Sequence, residues 1–472
     1  MITCWQNNKI VAAINKFLNS IYYLIALAVT TVLAAIFGLE FIVMPIYALL
    51  VLWNALLNKD MLPAFPIAMF GFMIISNKTS DTTHNISSLS NKTFAITFYI
   101  SLGLVVAGII TRVIYDIIKK RKELKIPQLL IGLSAIVLTF IIGGLFTEYK
   151  SGQETAYALL LTFSFIAPYL YFYLSIDWKE DHKDYIFFTL MMMGMVVAFE
   201  VFYRAIDLKW IHPITEYTID GDFIKLGWGV KPEIGTMLAM SIPSFFYFIN
   251  RKQYKYLYLS LSFIVVFALI LLRARWPLAF GLITYIALLI HTFIKANKKD
   301  RTIIGTIVGA ILLVGIVLMI IFRKEVTEFF KTTIEQFTTH KDSDEERWNL
   351  YKAGWNHFIN NPVFGVGWYQ CPSNVVYSFE NNIIPPRYHD TFIQILACTG
   401  VIGMLAYGYH RYETIRVFIK KRSYETVIIG LSILMLLLGS LLDTHLFNIA
   451  CTIQYSALLV VMEKSKSNEV SA

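Results

Sequence analysis

Three side chains that lie far apart in the sequence are the best candidates for chemistry. Arg275 comes shortly before Pro277, a residue suited to the first turn of a helix, so its guanidinium would lie beside a helix N-terminus that favours anions. An arginine at such a position is suited to binding phosphate. Arg347 lies in the first turn of another predicted helix, and His389 stands at the mouth of an apolar segment. Histidine is the side chain most often used to take a proton from a hydroxyl, so the three residues suggest phosphate binding combined with a general base.

Each of these residues also has a simpler explanation. Arg275 and its neighbour Arg273 could extend to lipid head groups from the end of an apolar segment. His389 could be an interfacial bystander, and Asp390, the residue after it, is predicted to cap the helix that follows. Arg347 could form a surface ion pair with one of four nearby acids, which are Asp342, Asp344, Glu345 and Glu346.

The composition indicates that a lipid bilayer is the main solvent of the chain that carries these residues. Of its 472 residues 57% are hydrophobic and only 15% are charged, which is too apolar for a soluble protein. Long apolar runs recur throughout and predict an all-α, polytopic membrane helix bundle with about 12–14 transmembrane helices. The candidate segments are 21–40, 41–57, 63–75, 93–115, 126–146, 156–176, 185–206, 232–249, 256–272, 277–294, 303–322, 391–410, 426–442 and 446–462.

The positions of the basic residues predict the orientation of this bundle. Four basic clusters begin near Lys119, Arg251, Lys295 and Arg411 and are separated by even numbers of segments, so all four can face the cytoplasm together. The net charge of +9 is therefore interpreted as a topology signal and not as a nucleic-acid surface. Both termini are predicted to be cytoplasmic, and the chain 1–472 is interpreted as one membrane domain. The predicted outer loops are 77–92, 207–231 and 323–388, the last being the main one.

The main outer loop, 323–388, is predicted to contain two helices. The apolar residues of 326–337 fall on one helical face, which is typical of a helix that lies on the membrane surface. The second helix includes Arg347 and ends before Pro362. The four cysteines of the chain lack the spacing of metal ligands, so we expect no metal and no cofactor. These cysteines are Cys4, Cys371, Cys398 and Cys451.

Three groups of residues together resemble motifs of the O-antigen ligase/polymerase family of bacterial membrane glycosyltransferases. The resemblance covers residues 227–408, and two residues depart from the family pattern, with Ala274 in place of serine and Asp390 in place of asparagine. The matching residues are Ala274, Arg275 and Trp276; then Arg347, Pro362, Gly365 and Gly367; and finally His389, Asp390, Ile393, Gln394, Thr399, Gly400 and Gly403.

The resemblance implies a polyprenyl-diphosphate-linked glycan donor and a saccharide or glycolipid acceptor. Arg275 and Arg347 would bind the diphosphate without a metal, and His389 would be the catalytic base in an inverting transfer on the extracytoplasmic face. The location would be the bacterial inner or cytoplasmic membrane. The sequence leaves open whether the protein is a polymerase or a ligase, with a slight preference for polymerase. A polysaccharide flippase or another transporter is the alternative from a different class.

Other polar residues give weaker signals. Glu200 and Arg204 are four residues apart near the outer end of a segment, which favours a structural pair over contact with the sugar. Asp443 and His445 could line the site or only form a turn. Three external acids could bind acceptor hydroxyls or simply be solvated, and these are Asp220, Asp222 and Glu233.

Overall fold

A computed structural model of the chain describes residues 8–76, 92–119, 126–145, 152–176, 182–211, 224–251, 254–321, 341–367 and 388–465, with a few positions between 323 and 331. Several sequence predictions therefore lie outside the described residues. They are most of the loops 77–92 and 207–231 with Asp220 and Asp222, most of the surface helix at 326–337, and the side chains of the four acids near Arg347.

The described residues are almost entirely helical, which confirms the predicted all-α class. The first eight helices are α1 (Lys9–Leu18), α2 (Ile21–Phe37), α3 (Glu40–Leu57), α4 (Phe65–Phe70), α5 (Lys92–Lys119), α6 (Gln128–Leu145), α7 (Gly152–Ser175) and α8 (His182–Ile211). The next eight are α9 (Lys231–Arg251), α10 (Lys255–Leu272), α11 (Arg275–Lys295), α12 (Lys298–Ile321), α13 (Lys341–Asn360), α14 (Thr391–Lys420), α15 (Tyr424–Asp443) and α16 (Ile449–Lys464). Three 3-10 turns accompany them at Leu62–Ala64, Gly71–Ile74 and His445–Phe447.

The number of helices that could span a membrane is smaller than predicted. Within the described residues, ten helices are long and apolar enough, or up to eleven if α1 and α2, which meet at a bend of 69°, are one span. The sequence predicted 12–14. The difference comes from three predicted segments, 63–75, 232–249 and 446–462, whose helices are too short or not apolar enough to qualify.

Two of these three segments form central helices, which explains their lower apolarity. Helix α9 packs against α8, α10, α11 and α15, and every residue from Glu233 to Ile249 is buried. Its neighbours are protein and not lipid, so hydroxyl side chains are tolerated where they find partners. Ser241 donates to the carbonyl of Leu238 at 2.7 Å, and Thr236 donates to the carbonyl of Pro232 at 2.9 Å. Helix α16 is almost as completely buried.

The third segment crosses the bundle as a broken helix. It begins near Asp60, whose carboxylate lies 3.6 Å from the ring of His182, at the start of α8. It ends at Ser76, against which Gly227 packs so closely that a Cβ on this glycine would lie 2.5 Å from the Ser76 carbonyl carbon. Only the short helix α4 and two 3-10 turns lie between these points, so the segment connects both ends without a continuous helix.

These contacts define two ends of the bundle. We call "basic end" the end where α6, α8, α10, α12 and α15 begin and where α9, α14 and α16 end. The opposite end, where α9, α11, α14 and α16 begin, is called the "site end". The backbone N–H of Gln128 donates to Glu463 near the C-terminus at 2.7 Å, and Tyr185 donates to the carbonyl of Leu18 at 3.2 Å. Both described ends of the chain therefore lie at the basic end.

Candidate functional site

His389 lies at the site end, immediately before α14, and its imidazole contacts an aspartate from another helix. Its Nδ1 is 2.5 Å from Oδ1 of Asp443, the last residue of α15. The side chain of His389 is 36% exposed and that of Asp443 is 13% exposed. A carboxylate can only accept, so Nδ1 carries the proton and Nε2 of the neutral ring is left as the acceptor. This is the arrangement in which a histidine acts as a base while an acid orients it.

The backbone around His389 is held by its two neighbours. His389 has a left-handed φ of 55°. Asp390 caps α14 by accepting from the backbone N–H of Ile393 at 2.8 Å, which confirms the predicted cap. Burial raises the pKa of Asp390, against a smaller opposite effect of its bonds to the backbone. The buried Tyr388 donates its N–H to Gln394 at 2.9 Å, and its hydroxyl lies 2.5 Å from Nδ1 of His357.

A hydroxyl pair connects the helices that carry His389 and Asp443. Thr391, in the first turn of α14, donates to the backbone carbonyl of Ser440, and the two hydroxyl oxygens lie 2.8 Å apart. The hydroxyl of Ser440 also accepts from the backbone N–H of Leu446 at 2.9 Å, beyond the end of α15. The histidine and the aspartate are therefore fixed relative to each other by a buried contact one turn below them.

Two glycine motifs that are distant in sequence meet below this site. The turn after α13 contains Gly365 and Gly367, with φ of 68° and 100°, and α14 is interrupted at Gly400, with φ of 62°. Val366 donates its N–H to the carbonyl of Ala397 at 2.8 Å, and the turn thereby satisfies a carbonyl that the break in α14 exposes. A Cβ at Gly365 would lie 2.4 Å from the carbonyl carbon of Cys398, so this approach requires glycine.

This docking places the loop helix α13 beside the histidine. The hydroxyl of Tyr351 donates to the carbonyl of His389 at 3.4 Å, and a Cβ at Gly354 would lie 2.9 Å from the ring of Tyr388. Arg347, one turn before Tyr351, is partly exposed and close enough to Asp443 for an electrostatic interaction. The structure therefore brings together Arg347 and His389, two of the three residues singled out from the sequence.

Arg275, the third residue, lies at the same end of the bundle. It is the first residue of α11, and Pro277 is buried in the first turn, so the predicted helix N-terminus is confirmed. Helix α9 connects this position to the end of α15. A Cβ at Gly235 would lie 2.8 Å from Pro277, and a Cβ at Gly439 of α15 would lie 2.6 Å from the hydroxyl of Thr236.

Arg273 and the external acid Glu233 have structural surroundings at the site end. Arg273 ends α10 with a left-handed φ of 54° and is only 4% exposed, so it does not extend to lipid head groups. Glu233 accepts from the N–H of Val230 at 3.1 Å and from the side-chain amide of Asn448 at 2.9 Å. These bonds fix the starts of α9 and α16 relative to each other.

The predicted pairing of Glu200 with Arg204 is wrong. Glu200 is buried and accepts from the indole N–H of Trp228 at 2.6 Å, whereas Arg204 pairs with Asp207. The spacing of four residues allowed a pair within α8, but Trp228 approaches from the segment before α9 and takes the carboxylate. Sequence spacing on one helix gives no information about such a neighbour.

The fold and the site define a class of protein. It is a polytopic helical membrane protein that carries a partly exposed histidine, paired with an aspartate, and two arginines at one end. Residues 238–408 match the family model described as O-antigen ligase, and Arg275, Arg347 and His389 all fall within the match. This match confirms, for residues 238–408, the resemblance to the O-antigen ligase/polymerase family that the sequence predicted. No curated protein matches the chain. The family is one of glycosyltransferase-like membrane proteins that act in surface polysaccharide synthesis.

Proposed function

We propose that this protein transfers a glycan from a polyprenyl diphosphate to a hydroxyl of a saccharide or glycolipid acceptor. The observation that carries the proposal is the contact between Nδ1 of His389 and Asp443. It directs the unprotonated Nε2 of a partly exposed ring away from the aspartate, as a general base for an acceptor hydroxyl requires.

The proposed reaction is a single displacement at the anomeric carbon. The acceptor hydroxyl gives its proton to Nε2 of His389 while its oxygen bonds to the anomeric carbon. The bond from that carbon to the diphosphate oxygen breaks, and the polyprenyl diphosphate leaves with the electron pair. Asp443 stabilises the imidazolium that forms, as an acid that orients a catalytic histidine does. One displacement inverts the configuration at the anomeric carbon.

The leaving diphosphate needs positive charge at the site end. Arg275 and Arg347 are partly exposed there and can form charge-assisted hydrogen bonds to its oxygens. Helices α11 and α14 also begin at this end, and their N-termini favour anions. These groups supply charge stabilisation without a divalent cation, so we propose a metal-independent reaction.

The proposed location of the site is the extracytoplasmic face of the bacterial cytoplasmic membrane. Support comes from the basic clusters at Arg251 and Lys295, which lie at the basic end together with both described chain ends. Basic residues are enriched on the cytoplasmic side. After removal of the native cysteines, a membrane-impermeant thiol reagent should label Val363→Cys on intact cells and leave Tyr254→Cys unlabelled. The reverse pattern would place the site in the cytoplasm.

Reconstitution with a labelled lipid-linked glycan tests the reaction. Vesicles that contain the purified protein, the donor and EDTA should yield elongated or acceptor-linked glycan and one polyprenyl diphosphate for each bond formed. Arg347→Ala should lower this yield at least about tenfold, since it removes one charge-assisted contact to the leaving group. Movement of intact donor across the bilayer without bond cleavage would identify a flippase instead. Strict dependence on a divalent cation would contradict the role given to the arginines.

The acceptor decides between the two forms of the activity, and the same assay separates them. Products that grow by successive repeat units from donor alone would identify a polymerase. Single transfer to a different added glycolipid or saccharide would identify a ligase.

A further inference from the structure

The loop helix α13 leaves a row of large apolar side chains exposed. Trp348 is 58% exposed, Trp355 is 49% exposed and Ile359 is 56% exposed, and Lys352 between them is exposed as well. Their spacing of three or four residues places all of them on one face of the helix. Large apolar side chains exposed together on one face mark a contact with a membrane or with another macromolecule. We call Trp348, Trp355 and Ile359 the apolar row.

A different face of α13 packs against the start of α14. The hydroxyl of Tyr351 donates to the carbonyl of His389, and a Cβ at Gly354 would lie 2.4 Å from the side chain of Ile393. Arg347 lies at helical spacing before Tyr351 and Gly354, on the face that they share. Helix α13 therefore presents one face to the candidate site and leaves the apolar row for another contact.

The end of α13 lies at the level where a membrane-spanning helix ends. Helix α6 is long and apolar enough to cross a membrane, and Gly143 is in its last turn. A Cβ at Gly143 would lie 3.6 Å from the carbonyl oxygen of Phe364, in the turn that follows α13. Because a span ends where the hydrocarbon meets the head groups, the end of α13 lies near this boundary.

The apolar row also adjoins the exposed apolar side of a membrane span. The carbonyl of Pro362, shortly after Ile359, accepts from the N–H of Val401 in α14 at 2.9 Å. Val401 is 44% exposed and Leu405, one turn further along α14, is 67% exposed. Exposed apolar side chains on a helix that can span a membrane face lipid. The lipid around α14 therefore extends to the end of the apolar row.

The residue types on this face of α13 fit a bilayer surface. Tryptophan is enriched at the membrane–water interface, because its ring is apolar and its N–H can bond to polar groups. The ammonium of Lys352 lies 5.7 Å from the centre of the Trp348 ring. A lysine can keep its apolar stem on such a surface while its charge reaches the head groups. Ile359 has no flat ring on which a sugar could stack, so it favours lipid over a glycan.

The side chains beside the apolar row are polar. A helix that lies in the interface needs one apolar face towards the acyl chains and a polar face towards water. The adjacent exposed face of α13 carries three asparagines at helical spacing, and we call these the asparagine row. They are Asn349, Asn356 and Asn360.

From these observations we infer that α13 is an interfacial helix whose apolar row lies in the head-group region of the bilayer, at the site end of the bundle. The bilayer thereby supports one face of the helix that carries Arg347, while α14 contacts another. The inference goes beyond the proposed function, because the partner is a lipid surface and the contact does not depend on glycan transfer.

Nitroxide labels on the two rows test this contact in the full-length protein in lipid nanodiscs. After removal of the native cysteines, Trp355→Cys and Ile359→Cys carry the label on the apolar row. Asn349→Cys and Asn356→Cys are matched controls on the asparagine row. Electron paramagnetic resonance measures collisions with oxygen, which concentrates in lipid, and with a nickel chelate, which stays in water. The ratio of oxygen to nickel collisions should be at least about threefold higher on the apolar row.

Two other outcomes of this experiment would overturn the inference. Equal access of nickel to both rows would show that the apolar row faces water, where it could contact a glycan. Protection of the apolar row from both reagents would show that protein covers it, either another segment of this chain or a second copy.

Quenching of tryptophan fluorescence tests the same contact with the native cysteines in place. Phosphatidylcholine that is brominated close to the head group quenches tryptophans at that depth. Trp348→Phe and Trp355→Phe should each lose part of the quenched signal, because each removes an interfacial tryptophan. Trp228→Phe removes a tryptophan that is only 4% exposed and should leave the quenched signal unchanged. A quenched signal that is unchanged in both α13 variants would contradict the inference. Neither measurement requires glycan transfer, so a failure of the proposed function would be seen separately.

Discussion

The two ends of the helix bundle use charged side chains in different ways. At the basic end, carboxylates pair with cations from neighbouring helices. Glu425 accepts from Arg251 at 2.6 Å and lies 3.7 Å from Lys183, so one carboxylate joins α15, α9 and α8. Asp300 of α12 likewise pairs with Lys255 of α10 at 2.5 Å. These ion pairs connect helix ends, and each of these charges is paired with an opposite charge within the protein.

At the site end, the corresponding groups are partly exposed. His389 is the exposed partner of its contact with Asp443, and Arg275 and Arg347 are partly exposed. Ion pairs between helices therefore characterise the basic end, whereas the site end carries the oriented histidine and the partly exposed arginines on which the proposed function rests.

The largest expected effect separates a site-end histidine from a basic-end one. His389→Gln should lower the transfer rate by about 10²- to 10⁴-fold, the contribution of a general base. His291→Gln changes an exposed histidine in the half of α11 nearer the basic end and should leave the rate within about twofold of wild type. Initial rates with saturating donor check both. A fully active His389→Gln protein would refute the assignment of the base.

Two arginines, one at each end of the bundle, allow the same comparison for the binding of an anionic group. Arg275→Ala should lower kcat/KM by about 10²- to 10³-fold, because stabilisation of the leaving diphosphate is lost. Arg416, at the basic end, is 48% exposed and pairs with Glu413 at 3.2 Å. Arg416→Ala should leave kcat/KM unchanged and cost less than about 1 kcal/mol in stability. Equal activity losses in both variants would show that the two ends do not differ in this respect.

Two carboxylates extend the comparison from cations to acids. Asp443→Asn should lower kcat by at least about 10-fold, because an amide neither fixes the Nδ1–H tautomer of His389 nor stabilises its charged form. Glu425→Gln should leave kcat unchanged and lower the free energy of unfolding by about 1 kcal/mol, through weaker contacts to Arg251 and Lys183. Steady-state kinetics and chemical unfolding in detergent measure the two effects. An exchange of these phenotypes would reverse the assignment of the ends.

Local signals in the sequence predicted much of the fold and part of the site. Apolar runs located the helices, and Pro277 and Asp390 correctly indicated the starts of α11 and α14. Such signals work because a helix start depends on a few consecutive residues. Three predicted segments, 63–75, 232–249 and 446–462, run between the two ends of the bundle but lack the length or apolarity of a single membrane helix. The reason is that α9 and α16 are central helices and 63–75 is broken, and burial inside protein depends on neighbours that hydropathy does not report.

Contacts between distant segments could not be predicted. His389 and Asp443 are 54 residues apart, and their contact depends on how α14 packs against α15. The available signal was only that both residues end apolar segments on the same side. Trp228 reaches Glu200 for the same kind of reason, since the segment before α9 folds over α8. The contact between the glycine turn at Gly365 and the break at Gly400 was equally hidden, although each motif was visible separately.

The smallest expected effect concerns Asp390, a site-end carboxylate that bonds to backbone N–H groups and not to a cation in the contacts described. Burial raises the pKa of Asp390, so folding favours its protonated form. Stability should therefore fall as the pH rises from the ordinary aspartate range, about 4, through the raised folded value. Asparagine, the residue that the family resemblance leads us to expect here, keeps the cap without the charge.

Asp390→Asn should therefore be as stable as wild type at low pH and more stable than wild type at pH 7 and above, with transfer activity within about threefold of wild type. Asp390→Ala, which loses the cap, should be less stable by about 1 kcal/mol at neutral pH. Thermal unfolding of the three proteins at several pH values measures this difference. If Asp390→Asn becomes less stable than wild type as the pH rises, the aspartate is paired with a cation, as the acids of the basic end are. The contrast between the two ends would then not extend to this residue.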